Sequence, residues 1–565
     1  MPPLEFDRFY RYAELTGLLQ SFAEEYPQFV RMESIGKSYE GREIWLLAVT
    51  NIETGPDTEK PAFWVDGNIH ASEVSASTAC LYHLNYLLTR YGEDEQVTRA
   101  LDRRAFYIVP RLNPDGAEWA LADRPKVVRS STRPYPFDED VLEGLIPYED
   151  IDGDGRILFM RIPDANGAWK KYPDEPRLMV RRDPVESGGE YYRIVPEGQV
   201  VGYDGHTLLV HVPKEGLDLN RNFPMEWRNQ AEQAGAGDYP LSEPEVQAMA
   251  AFINRHKNLT GFTTFHTFSG VLLRPYASKA DDNLPVADLW AYQLVGKKGT
   301  ELTGYPNISI FTDFRYHPKQ VISGGSDWVY EHQGMFFWAV ELWSPQRQAG
   351  IEEYKFIDWF RDHPVEDDLK LLNWSDEKLG GKSYVDWYPF DHPELGRVEL
   401  GGWDLLHTWT NPPLDKLEKE IQSFPAWLVW QALLAPELVL RHAGVEKIGE
   451  GDYRVQMVVD NAGWLSTAVT QKAIERKIVR GVICEIGLPG GASLASGKLR
   501  EEFGQLEGRQ RISALAFLVP SENQTSDRLK VEWVVHAPQG GEVYLTARHD
   551  RAGVVRATLQ LDETG

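Results

Sequence analysis

Cysteine is nearly missing from this chain of 565 residues: Cys80 and Cys484 are the only two, and they stand far apart. Such a pair supports neither a disulfide framework nor a cysteine-ligated zinc site, so any metal must rest on His, Asp and Glu. Long apolar runs are missing too. The most apolar window, Phe424 to Leu440, is broken by Gln431, Pro436 and Glu437 and is too short to span a bilayer. Behind Met1 the chain reads Pro-Pro-Leu-Glu-Phe-Asp-Arg, polar where a secretory leader is apolar, so the expectation is a cytoplasmic protein with no signal peptide. Basic residues are the minority, 59 Lys and Arg against 85 Asp and Glu, for a net charge of −26. A surface that negative repels phosphate backbones and anionic lipid, which argues against nucleic acid and membrane as partners. No internal repeat or low-complexity tract is present either.

What the chain does have is an aromatic-rich globular composition, with 18 Trp, 25 Tyr and 23 Phe, and a pattern of short apolar runs. Apolar residues recur at helical spacing from Tyr10 to Tyr26, and Phe29–Ile35 and Ile44–Val49 flank a turn at Gly41 as a hairpin. Strand-like runs follow at Ala62–Val65, Phe106–Val109, Phe262–Phe265 and Met335–Leu342, with helical stretches such as Ser75–Arg90 and Glu245–His256 between them. That alternation predicts a mixed α/β sheet covered on both faces. Ser242-Glu-Pro-Glu245 reads as a capping box that starts the second of these helices. Residues from about 117 to 216 are rich in Asp, Gly, Pro and Arg and read as a surface insertion. From about Ala443 the texture changes to evenly spaced strand-like runs, Tyr453–Val459, Ile478–Ile486, Ile512–Val519, Leu529–Val535 and Glu542–Ala547, which predict a small β-sandwich.

The chemistry is carried by a few residues at strand ends. After Ala62–Val65 the chain reads Asp66-Gly-Asn-Ile-His70-Ala-Ser-Glu73, an imidazole and a carboxylate spaced to chelate one zinc from one side. His266 ends the run Phe262–Phe265 and offers a third ligand. Two His and one Glu leave a coordination position open, as a catalytic zinc requires. Glu341 lies inside the apolar run Phe-Trp-Ala-Val-Glu341-Leu-Trp, where an acid is either paired or functional, and is the candidate general base.

Taken in order, Ser34-Ile-Gly-Lys-Ser-Tyr-Glu-Gly-Arg42, His70-Ala-Ser-Glu73, Asn113-Pro-Asp-Gly116, Asp218-Leu-Asn-Arg-Asn222, His266, Ser323-Gly-Gly-Ser-Asp-Trp328 and Glu341 resemble the carboxypeptidase A family of zinc peptidases over roughly residues 8 to 345. The resemblance implies a mixed eight-stranded sheet with flanking helices. It also implies that His70, Glu73 and His266 bind Zn2+, and that Glu341 is the general base that activates water. Asn220 and Arg221 would clamp the terminal carboxylate of a peptide or protein substrate, and Asp218 would orient His70 from behind. The family's oxyanion arginine falls in Arg129-Ser-Ser-Thr-Arg133, with Arg133 the better match and Arg129 the fallback. Where the family carries a mobile Tyr shortly before Ser-Gly-Gly this chain has Gln320, with Tyr316 and His317 as the nearest substitutes. It also lacks the residue between Ser326 and Asp327 that sets the floor of the family's specificity pocket.

Within the insertion, Asp150, Asp152 and Asp154 alternate before a Gly, as in the first half of a calcium loop, but Arg161 stands where the closing Glu would be. A truncated Ca2+ loop and a plain acidic turn both fit. The sequence thus predicts a zinc metallocarboxypeptidase domain over residues 1–440, containing the insertion, and a β-sandwich accessory domain over 441–565. The competing readings are a zinc amidohydrolase acting on cell-wall peptides or acylated amino acids, and an inactive relative that only binds peptides. The β-domain alone could also bind glycans or protein.

Overall fold

A strand whose every side chain is withdrawn from water needs cover on both faces, and the middle of the central sheet holds such strands. The computed structural model describes residues 4–136, 143–210, 214–315, 322, 324–352, 354–511 and 524–562. Its main sheet contains β1 (Val30–Lys37), β2 (Glu43–Val49), β3 (Ala62–Gly67), β4 (Ala105–Val109), β5 (Leu259–Thr267), β6 (Val271–Arg274), β7 (Asn307–Ser309) and β8 (Phe336–Leu342). The order is β1-β2-β4-β3-β5-β8-β6-β7. The neighbours β4, β3, β5 and β8 run parallel, and antiparallel pairs join β1 to β2, β2 to β4 and β6 to β8. This is the mixed eight-stranded sheet with flanking helices that the resemblance implies.

Period-two alternation along β3 sends Phe63 and Val65 into one hydrophobic cluster and Ala62 and Trp64 into the other. The first cluster is roofed by helices Val74–Arg90, Val286–Thr303 and Phe424–Leu433, whose Trp427 and Leu428 are fully buried. The apolar window Phe424–Leu440 is therefore core, and among the described residues no helix is long and apolar enough to cross a membrane. The second cluster is closed by Pro244–Arg255 through Val246, Met249, Phe252 and Ile253. That helix does begin where expected, but without a capping box. Its N-cap is Glu243, whose side chain makes no cap bond, and Glu245 instead accepts the backbone N–H of Tyr39 at 2.9 Å. Ser242 Oγ donates to Glu243 Oε1.

The stretch read as a surface insertion is more than a loop. Strands Phe159–Pro163, Trp169–Lys171, Met179–Arg181 and Tyr192–Pro196 share a six-stranded sheet with the hairpin Tyr384–His392 and Gly396–Trp403. The sequence reading found neither that hairpin nor its pairing with Phe159–Pro163. At the C-terminus two four-stranded sheets enclose one apolar cluster, with Val455, Met457, Trp533 and Val535 from one and Cys484, Ile486, Val543 and Leu545 from the other. This β-rich region starts at Leu438–Lys447 and ends at Gly553–Leu561, strands not anticipated. The run expected at Ile478–Ile486 is a strand only over Ile483–Gly487, and the one expected at Ile512–Val519 lies outside the described residues. Buried Arg551 ties the two halves together by donating to the carbonyls of Gln333, Gly334 and Ala468.

Candidate active site

Parallel strands present their carboxyl ends on one edge of a sheet, which is where α/β proteins build sites. Here β3 and β5 deliver His70 and His266 to that edge, and β5 pairs with β8 so that His266 and Glu341 are direct register partners. Between β3 and the helix Val74–Arg90 the chain turns sharply at Asn68, in the left-handed region at φ 61°. Asparagine tolerates that conformation, and its Nδ2 fixes the turn by donating to the carbonyls of His70 at 2.7 Å and Ala71 at 3.2 Å.

The three expected ligands converge. His70 Nδ1 lies 2.8 Å from Glu73 Oε1, and His266 Nδ1 lies 3.0 Å from Glu73 Oε2 and 3.1 Å from His70 Nδ1. All three residues are buried, and one donor atom from each falls within 4.8 Å of the others. Burial alone would push the Glu73 carboxyl up, but His70 and His266 hold it well below the usual carboxylate range. A nitrogen–nitrogen–carboxylate set of this kind suits zinc. Behind it, His70 Nε2 faces Asp218 Oδ1 at 3.2 Å. An ionised carboxylate only accepts, so the Nε2 proton points at Asp218 and the Nδ1 lone pair is left for a metal. Asp218 is held ionised against its burial by the charges of Arg129 and Arg221, and it also accepts the N–H of Asn220 at 2.9 Å.

Arg129 donates from Nε to Asp218 Oδ2 at 2.9 Å, keeps about half its side chain exposed, and lines the pocket. Arg133 does not. Its guanidinium is paired with Glu243 at 2.8 Å and Asp238 at 3.3 Å and is not among the residues that line the cavity, so of the two candidate arginines it is Arg129 that lines it. The pairing of Arg133 has a physical cause, since Glu243 is fully buried and needs a counter-charge.

Asn220 and Arg221 line the same cavity, of about 270 Å³, as His70, Glu73, His266 and Glu341. Asn220 Oδ1 accepts the N–H of Gly325 at 2.9 Å, which docks the start of the helix Gly325–Gln333 on the Asp218–Asn222 segment. Arg221 donates from one terminal nitrogen to the Asn220 carbonyl at 2.9 Å, holds the other 4.0 Å from Asp218, and lines the pocket. Glu341 opens onto the cavity. Burial, reinforced by the charge of Glu73 and opposed by His266, pushes its carboxyl up. Gln320, Tyr316 and His317 lie outside the described residues.

Other motifs turn out to be supports. Asn113 Nδ2 donates to the carbonyls of Ser130 at 2.6 Å and Ile69 at 3.3 Å, clasping the His70 turn to the Arg129 segment. Gly116 is needed there because a Cβ would come within 2.6 Å of Ala71 Cβ and 2.5 Å of the Ser130 carbonyl oxygen. Asp115 accepts from Ser38, Glu40 and Arg42 of the opening segment. Asn411 was not foreseen: it accepts from Ser75 and donates to the Ser72 carbonyl, flanking Glu73 from far along the chain.

The calcium reading of Asp150, Asp152 and Asp154 is not supported. Asp150 accepts the N–H groups of Gly153 at 2.6 Å and Gly155 at 2.9 Å, and Asp154 is paired with Arg156 at 2.6 Å. The loop closes on its own hydrogen bonds, with Glu197 rather than Asp154 beside Asp150 and Asp152.

A sequence model of zinc carboxypeptidases matches residues 15–358, and a domain of unknown function matches 437–560. Among curated proteins, carboxypeptidase B2 of Rattus norvegicus is 22% identical over 371 residues, 62% of this chain and 67% of its own length. Carboxypeptidase A2 of Mus musculus is 24% identical over 343 residues, 60% of this chain and 63% of its own length. The chain thus spans about two thirds or less of these relatives' lengths. Among solved structures, thrombin activatable fibrinolysis inhibitor gives a TM-score of 0.39 at 20% identity, covering 60% of this chain and 67% of the other. Carboxypeptidase A from Helicoverpa armigera gives 0.39 at 20% identity, covering 67% and 76%. With the family match extending over more than half of its residues, the chain belongs to the zinc carboxypeptidase family.

Proposed function

We propose that this protein is a metallocarboxypeptidase that removes the C-terminal residue of peptides or proteins, through a catalytic domain of residues 1–440 carrying the 117–216 insertion, with residues 441–565 as an accessory domain. The observation that carries the reading is that a cation built to grip a carboxylate, Arg221, lines the same cavity as the His70, Glu73 and His266 set and Glu341.

His70, Glu73 and His266 would hold Zn2+, which when bound supplies a Lewis acid for the scissile carbonyl and lowers the pKa of water. The remaining roles belong to the chain. Asn220 and Arg221 take the terminal carboxylate, Arg221 with a planar fork matched to its two oxygens. Arg129, whose Nε is fixed by Asp218, turns its terminal amines to the oxyanion that forms as the carbonyl carbon becomes tetrahedral. Glu341, whose carboxylate opens onto the same cavity, takes one proton from the attacking water while the oxygen bonds to the carbonyl carbon. It then passes that proton to the departing amine as the C–N bond breaks, so the products are a free amino acid and a shortened peptide.

The test is release of the terminal amino acid from matched peptides with free and amidated C-termini, with and without chelator. The free acid should be trimmed, chelator should stop the reaction and zinc restore it, and amidation should cripple it. Equal cleavage of both termini would exclude the carboxypeptidase reading.

A further inference from the structure

The helix Gly325–Gln333 starts at the cavity and ends against the C-terminal β region. Gly324 and Ser326 line the cavity, and the N–H of Gly325 is held by Asn220 Oδ1. Buried Asp327 accepts the N–H groups of Ala277 at 2.8 Å and Ser278 at 3.1 Å, and Trp328 packs on Phe223 with centroids 5.3 Å apart. The last carbonyls of a helix need donors that the helix itself cannot supply. Here the β region supplies them. The Gly334 carbonyl accepts from Thr470 Oγ1 at 3.0 Å and Arg551 Nη1 at 2.8 Å, and the Gln333 carbonyl accepts from Arg551 Nη2. Glu331, buried near the same end, accepts from Arg476 Nη2 at 2.7 Å on one oxygen, and from Tyr276 Oη at 2.7 Å and Lys279 Nζ at 3.1 Å on the other. Burial alone would push this carboxyl up, but the bonds from Tyr276, Arg476 and Lys279 hold it below the usual carboxylate range. Asp288, buried on the helix Val286–Thr303, closes the same joint by accepting the N–H groups of Gln471 at 2.7 Å and Lys472 at 3.1 Å and the hydroxyl of Tyr330 at 2.7 Å. The surfaces meet without room for a methyl group, since a Cβ on Gly334 would lie 2.6 Å from Ala473 Cβ.

We infer that the C-terminal β region positions the Asn220–Arg221 end of the cavity, with the helix Gly325–Gln333 as the link and Thr470, Arg476 and Arg551 as the grip on its outer end. A nine-residue helix is a stiff rod of about 13 Å. A shift at its outer end therefore reaches Gly325, and with it the Oδ1 of Asn220. Arg476 is not among the residues that line the cavity, so it is a positioning residue that acts through Glu331. The inference rests on the carboxypeptidase reading only for what Asn220 and Arg221 hold, the terminal carboxylate of the substrate. The mechanical link needs no reaction. It makes the β region a working part of the site in place of the separate glycan- or protein-binding module that the sequence left open.

Amide hydrogen exchange separates this inference from the catalytic one. The full chain is compared with Arg476→Ala, Arg476→Lys and Glu331→Gln by mass spectrometry. Arg476→Ala should speed exchange ~10-fold or more in segments 218–222 and 324–328 and leave β3 and β4 at the parent rate. Glu331→Gln removes the charge that Arg476 grips and should do the same, whereas Arg476→Lys keeps a cation there and should stay nearer the parent. With free-acid peptides, Arg476→Ala and Glu331→Gln should raise KM ~10-fold and leave kcat within about twofold, because the candidate zinc ligands and Glu341 are untouched. Parent rates of exchange at 218–222 and 324–328 in both variants would overturn the inference. So would acceleration spread equally over β3 and β4, the mark of a general loss of stability. If the parent hydrolyses no peptide yet the exchange pattern holds, the carboxypeptidase reading falls and the positioning role of the β region stands.

Discussion

Asp218→Asn isolates one charge without changing shape, and its effect can be worked from the contacts. The carboxylate accepts from three donors: Asn220 N and His70 Nε2 on one oxygen and Arg129 Nε on the other. An amide has a single acceptor oxygen, so one of its sides must now present N–H groups to a donor. If that side faces His70, the imidazole is forced to carry its proton on Nδ1, the atom meant for the metal. If it faces Arg129, the half-exposed guanidinium swings away. Either way the negative charge behind His70 is gone. Loss of such a carboxylate typically weakens a metal site 10- to 100-fold, roughly 1.4 to 2.8 kcal/mol. Zinc affinity measured by competition with a chromophoric chelator should fall in that range, while the metal-free variant stays folded by circular dichroism. A zinc Kd within about twofold of the parent, with folding intact, would refute the view that Asp218 orients His70.

Glu341→Gln should keep zinc and fold but lose at least ~10²-fold in turnover of free-acid peptides, as removal of a general base does; near-parent turnover would place the base elsewhere. Arg129→Ala should lower kcat by ~10²-fold or more with a smaller change in KM, whereas Arg133→Ala should leave kcat alone and lower thermal stability, because it strands buried Glu243; steady-state kinetics and melting on both variants decide. Glu245 is fully buried, its Oε2 has no hydrogen-bond partner, and burial lifts its carboxyl to about 7. Its folded pKa is above the unfolded value, so the stability from its neutral form is complete below about pH 4.3 and lost as pH rises through about 7, an effect of order 3 kcal/mol. Glu245→Gln should therefore gain on the parent between pH 5 and 8 in urea unfolding, and a pH-independent difference would show that Glu245 does not titrate in this way.

The parts of this protein legible in its sequence are those whose physics is local. Ala62–Val65 announces itself because a strand buried on both faces tends to be continuously apolar, and Phe262–Phe265 through β-branched Thr263 and Thr264 between its two Phe; the two strands are neighbours inside the main sheet. His70 and Glu73 lie three residues apart and can be read as a chelating pair without knowing the fold. Where a distant group decides, reading fails. Glu245 was assigned to a cap, but the N–H of Tyr39 claims it. Arg133 matched the arginine pattern better than Arg129, yet buried Glu243, 110 residues on, takes its charge. The hairpin Tyr384–Trp403 pairs with a strand more than 200 residues earlier, for which no local pattern exists.

The same division runs through the site itself. Donor atoms come from short motifs at strand ends, but their orientation comes from groups brought in by long-range packing. Asp218 reaches His70 across 148 residues, and Asn411 reaches Ser75 across 336. An aromatic wall of the cavity is completed by Phe356, which meets Phe314 only because the chain returns over the mouth of the sheet after β8. A candidate chelating triad can therefore be read along the chain, while the cavity beside it exists only once the chain has folded. That is why the sequence resembles a zinc peptidase of the carboxypeptidase type yet does not show that Phe314, Phe337 and Phe356 come together to line the cavity beside its candidate ligands.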